Sequence, residues 1–420
     1  MDRPIWLAAG VRTPFTRVDG GLAKRDAIGL GVPVLQTMAA GIVSGRIDSA
    51  QWGSVIPSLR YSNLARETWL DAGLDPTVPT STVIMQCSTS MMAVFNLAGV
   101  LGRGLGELAL AGGAESMTHV QLGLSQPLSD SIRRVGQART WKSRLAAIGQ
   151  VRPRDARLQL QSIKNRTTGK SMGEHSEETA KQWQIGRAEQ DTLALEGHRR
   201  AVAGQDNGFF SDLIIPLDGV TRDGFPRRDT SLEALSKLRP AFDPEHGTQT
   251  AGNSSPLTDG AAGIWVATEL GLKRLPPFTP RARLVDFELA AIDIQHEGLL
   301  MGPAYAIPRL LSRNNLRYED IDLLEIHEAF TSQVLYQVKA LETLSFVRDK
   351  VGVDADLGKV PRERINPNGG SVALGHPFGA TGARILSQAV KELAGLKEGA
   401  RAIVSICADG GLGAVALIAT

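Results

Sequence analysis

Two cysteines and two histidines in this chain stand beside glycines or at the edges of short apolar runs: Cys87 in QCSTSM, His327 in IHEAF, His376 in GHPFGATG and Cys407 in CADGGLG. A cysteine sulfur with an imidazole in reach forms the simplest activated nucleophile, with the ring taking the thiol proton as sulfur attacks. Cys87 follows the strand-like STVIMQ and opens an apolar, helical run, where free N–H groups and the helix dipole favour a thiolate. The same position also suits plain core packing, since cysteine is among the most buried residue types. His376 sits in a glycine-studded loop before the helical ARILSQAVKELAG, where the backbone can approach a ligand closely. Taken singly, a histidine at a strand end and a cysteine at a hairpin turn are ordinary structure. Together the four describe a nucleophile, a base and two further polar groups.

The elements that must carry them follow from periodicity. Short apolar runs (IWLAAG, WGSVIPS, TVIMQ, ELALAGG, IDLLEIHE, AIVSICA, AVALIA) alternate with longer helical stretches, which is the α/β pattern. The chain also repeats itself: TDGAAGIWVAT (Thr258 to Thr268) is similar to ADGGLGAVALIAT (Ala408 to Thr420), and GRIDSAQWGSVI parallels NLRYEDIDLLEI. In the second copy a tight glycine turn joins the last two strands, whereas in the first the partner strand arrives far later. An insertion therefore interrupts the first hairpin.

That insertion is basic. From Arg133 to Lys170 it holds Arg133, Arg134, Arg139, Lys142, Arg144, Arg152, Arg154, Arg157, Lys164, Arg166 and Lys170, with Asp155 the only acid. The run reads as a solvated face, as a groove for a phosphate-bearing ligand, or as a docking helix. In the last case IRRVGQARTWKSRLAAIG sets Ile132, Val135, Trp141, Leu145 and Ile148 along one side, to meet a partner subunit or an anionic membrane.

Composition bounds the rest. The 420 residues, 42% hydrophobic, suffice for two or three packed domains. The 46 Lys and Arg against 44 Asp and Glu leave a net charge of +2, which argues against a nucleic-acid partner. Two cysteines cannot build a disulfide framework, and their spacing is wrong for zinc, so no metal is expected. Free thiols and the lack of a long uncharged apolar run point to a reducing, cytoplasmic setting.

The segments QCSTSM, GGAESM, KLRPAF, TAGNSSPLTDGAA, MGPAYAIP, IHEAF, NPNGGSVALGHPFGATGAR and CADGGLG, in this order along nearly the whole chain, resemble the thiolases that make or cleave 3-ketoacyl-CoA. The resemblance implies a duplicated thiolase fold of two five-stranded α/β/α/β/α halves with an inserted loop domain. The expected division is 1–118 and 251–274 for the N-terminal half, 119–250 for the insertion that grips coenzyme A, and 275–420 for the C-terminal half.

It also implies roles. Cys87 matches the acyl-accepting nucleophile, His376 the imidazole that takes its proton, and Cys407 the thiol that shuttles a proton to and from CoA or the acetyl α-carbon. His327 stands where most thiolases have the Asn of an NEAF motif. The HEAF form resembles the thiolase subunits of trifunctional β-oxidation complexes, which favours a degradative enzyme over a biosynthetic acetoacetyl-CoA thiolase. A second oxyanion hole would use the backbone N–H of Cys87 and of Asp409, where many relatives have Gly or Ala. A carboxylate there would repel a developing anion unless turned away or paired. Arg227 or Arg228 and Ser255 are expected near CoA, and Met172, Met301 and Phe330 along the acyl or pantetheine channel, with core packing the plainer reading of those three. Ser90, at a usual glycine, would reshape the pocket floor. No permanently bound cofactor is expected, CoA being a substrate; the implied partners are acyl-CoA, a second copy in a dimer or dimer of dimers, and a hydratase/dehydrogenase subunit. Two rivals stand beside this reading: a ketoacyl synthase, which needs no second thiol, and a lipid-binding subunit that kept the fold without the chemistry.

Overall fold

The computed structural model describes residues 3–150, 152, 154, 157–159 and 164–420. One large sheet draws strands from both ends of the chain: β1 (Ile5–Ala8), β2 (Ser49–Gly53), β3 (Thr80–Thr82), β4 (Leu108–Glu115) and β5 (Thr258–Ala267), then β6 (Arg281–Ala291), β7 (Leu323–Ile326), β8 (Arg401–Ala408) and β9 (Leu412–Ala419). Their order is β7-β8-β9-β6-β1-β5-β4-β2-β3. The halves join where β1 runs antiparallel to β6, with Ile5 opposite Leu284. Strands β4 and β5 are buried along their whole length, and β8 nearly so, which is why LALAGGAE and RAIVSICA show no polar alternation.

The repeat read from the sequence is present in space. In the first half the strands alternate with helices α1 (Ala27–Ala40), α2 (Leu64–Asp71) and α3 (Thr89–Gly102); in the second with α4 (Gly302–Arg313), α5 (Thr331–Leu341) and α6 (Thr381–Ala394). Strand β5 pairs antiparallel with β4 just as β9 pairs with β8, and β2 lies parallel to β4 as β7 lies parallel to β8. Residues 116–257 intervene between the first pair. The halves differ in their fifth strand. The counterpart of β3 is reduced to a single bridge between Ile365 and Leu324. A 3₁₀ turn at Arg362–Arg364 precedes that position, and the left-handed Asn366 (φ 47°) with Pro367 follows it, so no ladder can propagate.

Helices α3 and α6 pack on each other in the middle layer, with α1 and α2 outside one half of the sheet and α4 and α5 outside the other. The middle helices touch closely through small residues. Ser90 contributes here: it is fully buried, and its Oγ accepts the Ala383 N–H at 2.9 Å, fastening α3 to α6.

The insertion carries helices Gln126–Gln137, Trp141–Gly149, Met172–Gln182 and Arg187–Asp206. The first two pack against each other as a hairpin. This corrects the single docking helix expected from IRRVGQARTWKSRLAAIG. Thr140 starts a new helix instead, its Oγ1 accepting the Ser143 N–H at 3.2 Å while Ser143 Oγ accepts the Thr140 N–H at 3.2 Å, a reciprocal cap that continuous helix would forbid. Ile132, Trp141, Leu145 and Ile148 remain exposed, and Val135 is half-buried. Asp155 lies outside the described residues. Among the described residues no helix is long and apolar enough to cross a membrane.

Candidate active site

Three loops deliver the reactive groups to one point. The loop bearing His376 is bent at Gly375, whose φ of 99° a side chain would strain. It then passes so close to β4 that a Cβ on Gly113 would fall 2.1 Å from the Gly379 carbonyl oxygen. The buried Glu115 carboxylate at the end of β4 locks this approach, accepting the N–H groups of Gly379 (3.0 Å), Val55 (2.9 Å) and Ile56 (3.0 Å) and the Ser54 hydroxyl (2.6 Å).

Cys87 follows Gln86, a residue held in the left-handed region at φ 49°, and precedes the Ser88 cap of α3. His327 lies one residue past β7, its N–H donating to the Ser405 carbonyl of β8 at 2.9 Å. Asn366 fastens this end: its Oδ1 accepts the Ile326 N–H at 2.8 Å, and its Nδ2 donates to Ile326 O (2.9 Å) and to Glu328 Oε1 (2.6 Å). Cys407 is buried in β8, and the neighbours of the two cysteines touch where Ser88 Oγ donates to the Ile406 carbonyl at 3.5 Å.

The side chains of Cys87, His327 and His376 converge so that one ligand-type atom of each lies within 4.8 Å of the others. The imidazole centroids are 4.2 Å apart. The three residues come from separate loops, and such a trio also has the donor chemistry to hold a soft divalent metal. Both Nε2 atoms are buried with no hydrogen-bond partner among the described residues, so they are free for a reacting ligand.

Charge states differ from the expectation of a resting thiolate. Burial, ahead of the Asp409 charge, pushes the Cys87 thiol up to about 12, although the backbone N–H groups of Cys87 and Asp409 favour its anion. Desolvation outweighs the helix terminus. Burial, helped by the Arg384 cation, draws His376 down to about 3 and holds His327 well below its usual range, with the neighbouring His376 adding to the latter. Burial also raises the Cys407 thiol, with Cys87 contributing. A neutral thiol therefore faces two neutral imidazoles, and sulfur becomes nucleophilic only as it gives up its proton.

The remaining predicted residues divide. Ser255 lies at the site wall, its N–H donating to Ala329 O at 2.9 Å, while Leu257 bridges to His376. Met301 and Phe330 share a buried apolar cluster with Cys407, and Met172 packs on its edge. Arg228 is committed to Asp206, with Nη1 2.6 Å from Oδ2; Arg227 is exposed and makes no ion pair among the described residues. Asp409 is paired: Asn165 of the insertion donates to its Oδ1 at 2.9 Å. The carboxylate is thus held by the insertion while its charge still acts on Cys87. Reading by sequence missed Asn165, Ser371, Thr381 and Arg384, which touch the reactive groups or their partners. Ser371, Thr381 and Arg384 fall inside the NPNGGSVALGHPFGATGAR segment, yet, like Asn165, each acts through a contact made only in the fold.

Comparison with known proteins agrees with this geometry. Residues 5–270 match the family description "Thiolase, N-terminal domain" and residues 278–420 match "Thiolase, C-terminal domain". The chain is 36% identical to a 3-ketoacyl-CoA thiolase of Yersinia enterocolitica over 422 aligned positions, 99% of this chain and 96% of the relative. A 3-ketoacyl-CoA thiolase of Pectobacterium carotovorum is likewise 36% identical, with the same coverage. Among solved structures, an acetyl-CoA acetyltransferase of Bacillus anthracis superposes with a TM-score of 0.82 at 31% identity, over 99% of this chain and 98% of its own. A thiolase of Ascaris suum in complex with coenzyme A gives 0.79 at 26% identity, over 100% of both chains.

Proposed function

The chain belongs to the thiolase family, and on that premise we propose that it is a 3-ketoacyl-CoA thiolase acting in the degradative direction. One observation carries the reading: the convergence of Cys87, His327 and His376 within 4.8 Å, with both imidazole Nε2 atoms buried and unpartnered among the described residues. Cys87 attacks the 3-keto carbon while its proton passes to His376 Nε2. The tetrahedral oxyanion meets the backbone N–H groups of Cys87 and Asp409, and as it collapses the Cα–Cβ bond breaks. The electron pair leaves as the acetyl-CoA enolate, whose oxygen is held by His327 and His376 and whose carbon takes the Cys407 proton. A second CoA then gives its thiol proton to the Cys407 sulfur and attacks the acyl-Cys87 thioester. The shortened acyl-CoA departs, and Cys87 recovers its proton from His376.

The insertion, taken as residues 119–250, grips CoA in this reading, with Ser255 at the pantetheine side. Arg227, without an ion pair among the described residues, serves the phosphate end better than Arg228. The first half then comprises 1–118 and 251–274, and the second 275–420. A dimer or dimer of dimers working with a hydratase/dehydrogenase subunit fits a degradative role. The likeness to the Bacillus anthracis acetyl-CoA acetyltransferase favours a second, short-chain biosynthetic reading. Thiolysis of a 3-ketoacyl-CoA series separates them: activity that holds or rises beyond acetoacetyl-CoA supports the degradative enzyme, and activity confined to acetoacetyl-CoA supports the other.

The insertion's basic run, Arg133 to Lys170, exceeds what CoA requires, because its eleven cations compare with a diphosphate and 3′-phosphate that together carry only about four negative charges. The hairpin's exposed Ile132, Trp141, Leu145 and Ile148, set among Arg134, Arg139, Lys142 and Arg144, suit the headgroup region of an anionic bilayer. Reversing Arg134, Arg139 and Arg144 to Glu should abolish cosedimentation with anionic liposomes and leave short-chain thiolysis within about twofold, since each cation near an anionic surface contributes about 1 kcal/mol. A steep rise in KM for CoA instead would assign the hairpin to substrate, and loss of a hydratase/dehydrogenase subunit from the complex would assign it to that partner.

A further inference from the structure

The two imidazoles beside Cys87 are backed by different hydroxyls. Behind His376, Thr381 Oγ1 lies 2.6 Å from Nδ1 and donates its own proton to the Pro377 carbonyl at 3.0 Å. A hydroxyl has one proton. In that arrangement Thr381 accepts from His376, which places hydrogen on His376 Nδ1 and leaves Nε2 as a lone pair. Behind His327, Ser371 Oγ lies 2.8 Å from Nδ1 and accepts from Arg384 Nη2 at 2.6 Å. A guanidinium only donates. Among the described residues the Ser371 proton has no acceptor but His327 Nδ1, and Ser371, His327 and Arg384 are all buried.

We propose that Ser371 is a positioning residue: oriented by Arg384, its hydroxyl fixes hydrogen on His327 Nε2, so that Cys87 faces one imidazole that accepts and one that donates. The pair is thereby divided between base and oxyanion donor before substrate arrives. Preorganised donors of this kind cost no reorientation when charge develops, and the orienting group behind a histidine decides which nitrogen holds the proton. The buried Arg384 cation also disfavours an imidazolium on either ring. The catalytic meaning of the division rests on the thiolase reading, but the division itself does not.

Nitrogen-15 NMR of histidine-labelled protein, with His327 assigned from a His327→Asn variant, reads the tautomer directly in the resting protein. The expected spectrum shows His327 protonated on Nε2 and His376 on Nδ1. Hydrogen on His327 Nδ1 would overturn the proposal, and because no turnover is needed, that result is independent of whether the chain cleaves 3-ketoacyl-CoA. In turnover, Ser371→Ala should lower kcat about tenfold or more with KM within about twofold, and Ser371→Thr, which keeps the hydroxyl, should restore kcat to within about threefold. On a His327→Asn background the Ser371→Ala change should cost less than about twofold, since its target is gone. A tenfold loss on that background would make Ser371 a packing residue and sink the idea.

Discussion

Replacing Cys87 with serine should lower thiolysis by roughly 10³-fold or more, about 4 kcal/mol of transition-state stabilisation, while CoA binding is kept. The loss follows from the charge states at the site. Cys87 is held as a thiol near 12 and His376 is neutral, so proton transfer must accompany attack. A serine hydroxyl is far harder to deprotonate, and the same neutral imidazole offers no added driving force. Alkylation checks the premise. With the thiol near 12, iodoacetamide should label Cys87 slowly at pH 7 and about tenfold faster for each pH unit up to 9, because the thiolate fraction rises tenfold per unit below the pKa. Bound acyl-CoA should protect it. A labelling rate flat with pH would mean that the proton already rests on His376. Turnover in Cys87→Ser within tenfold of the unchanged chain would remove Cys87 as the nucleophile.

The pairing of chemistry with glycine-rich segments made much of the site legible in sequence. Gly375 and Gly379 are glycines for a reason local sequence reveals, a sharp loop passing close to a strand, and His376 is carried by that loop. The duplication was legible too, since two antiparallel hairpins with the same register left similar residues in both copies. What sequence hid was what desolvation and long-range contact decide. The helix terminus at Cys87 pointed to a thiolate, but the pull of a few N–H dipoles is small beside burial of a charge, so the resting sulfur keeps its proton. Asp409 looked like a liability near an oxyanion, and which way it turned was hidden: Asn165, 244 positions away, holds the carboxylate, while its charge still acts on Cys87. The amphipathic spacing of Ile132 to Ile148 suggested one helix, and a four-residue capping pattern at Thr140 overrode it.

The second thiol offers the sharper division of labour. Cys407→Ala should reduce thiolysis and the reverse condensation alike by about 10³-fold, since each direction moves one proton between Cys407 and either the acetyl α-carbon or CoA sulfur. Cys87 should still be acylated by an aryl ester, whose phenolate leaves without needing a proton, at a rate within about tenfold of the unchanged chain. The distinction is available because the two cysteines occupy different structures: Cys87 in a half-buried turn with backbone N–H groups facing its sulfur, Cys407 inside a strand with its thiol pushed up by burial and by its neighbour. Both thiols rest neutral; Cys87 has His327 and His376 within 4.8 Å to take its proton as it attacks, and Cys407, outside that trio, is left to give its proton to a carbanion. Mass spectrometry of the protein after aryl ester treatment reads the result. An acyl group retained on Cys87 in the Cys407→Ala variant, with both CoA-dependent reactions lost, is the expected outcome. Failure of the variant to acylate would place Cys407 in the first attack itself, and full turnover without it would leave the shuttle to another group.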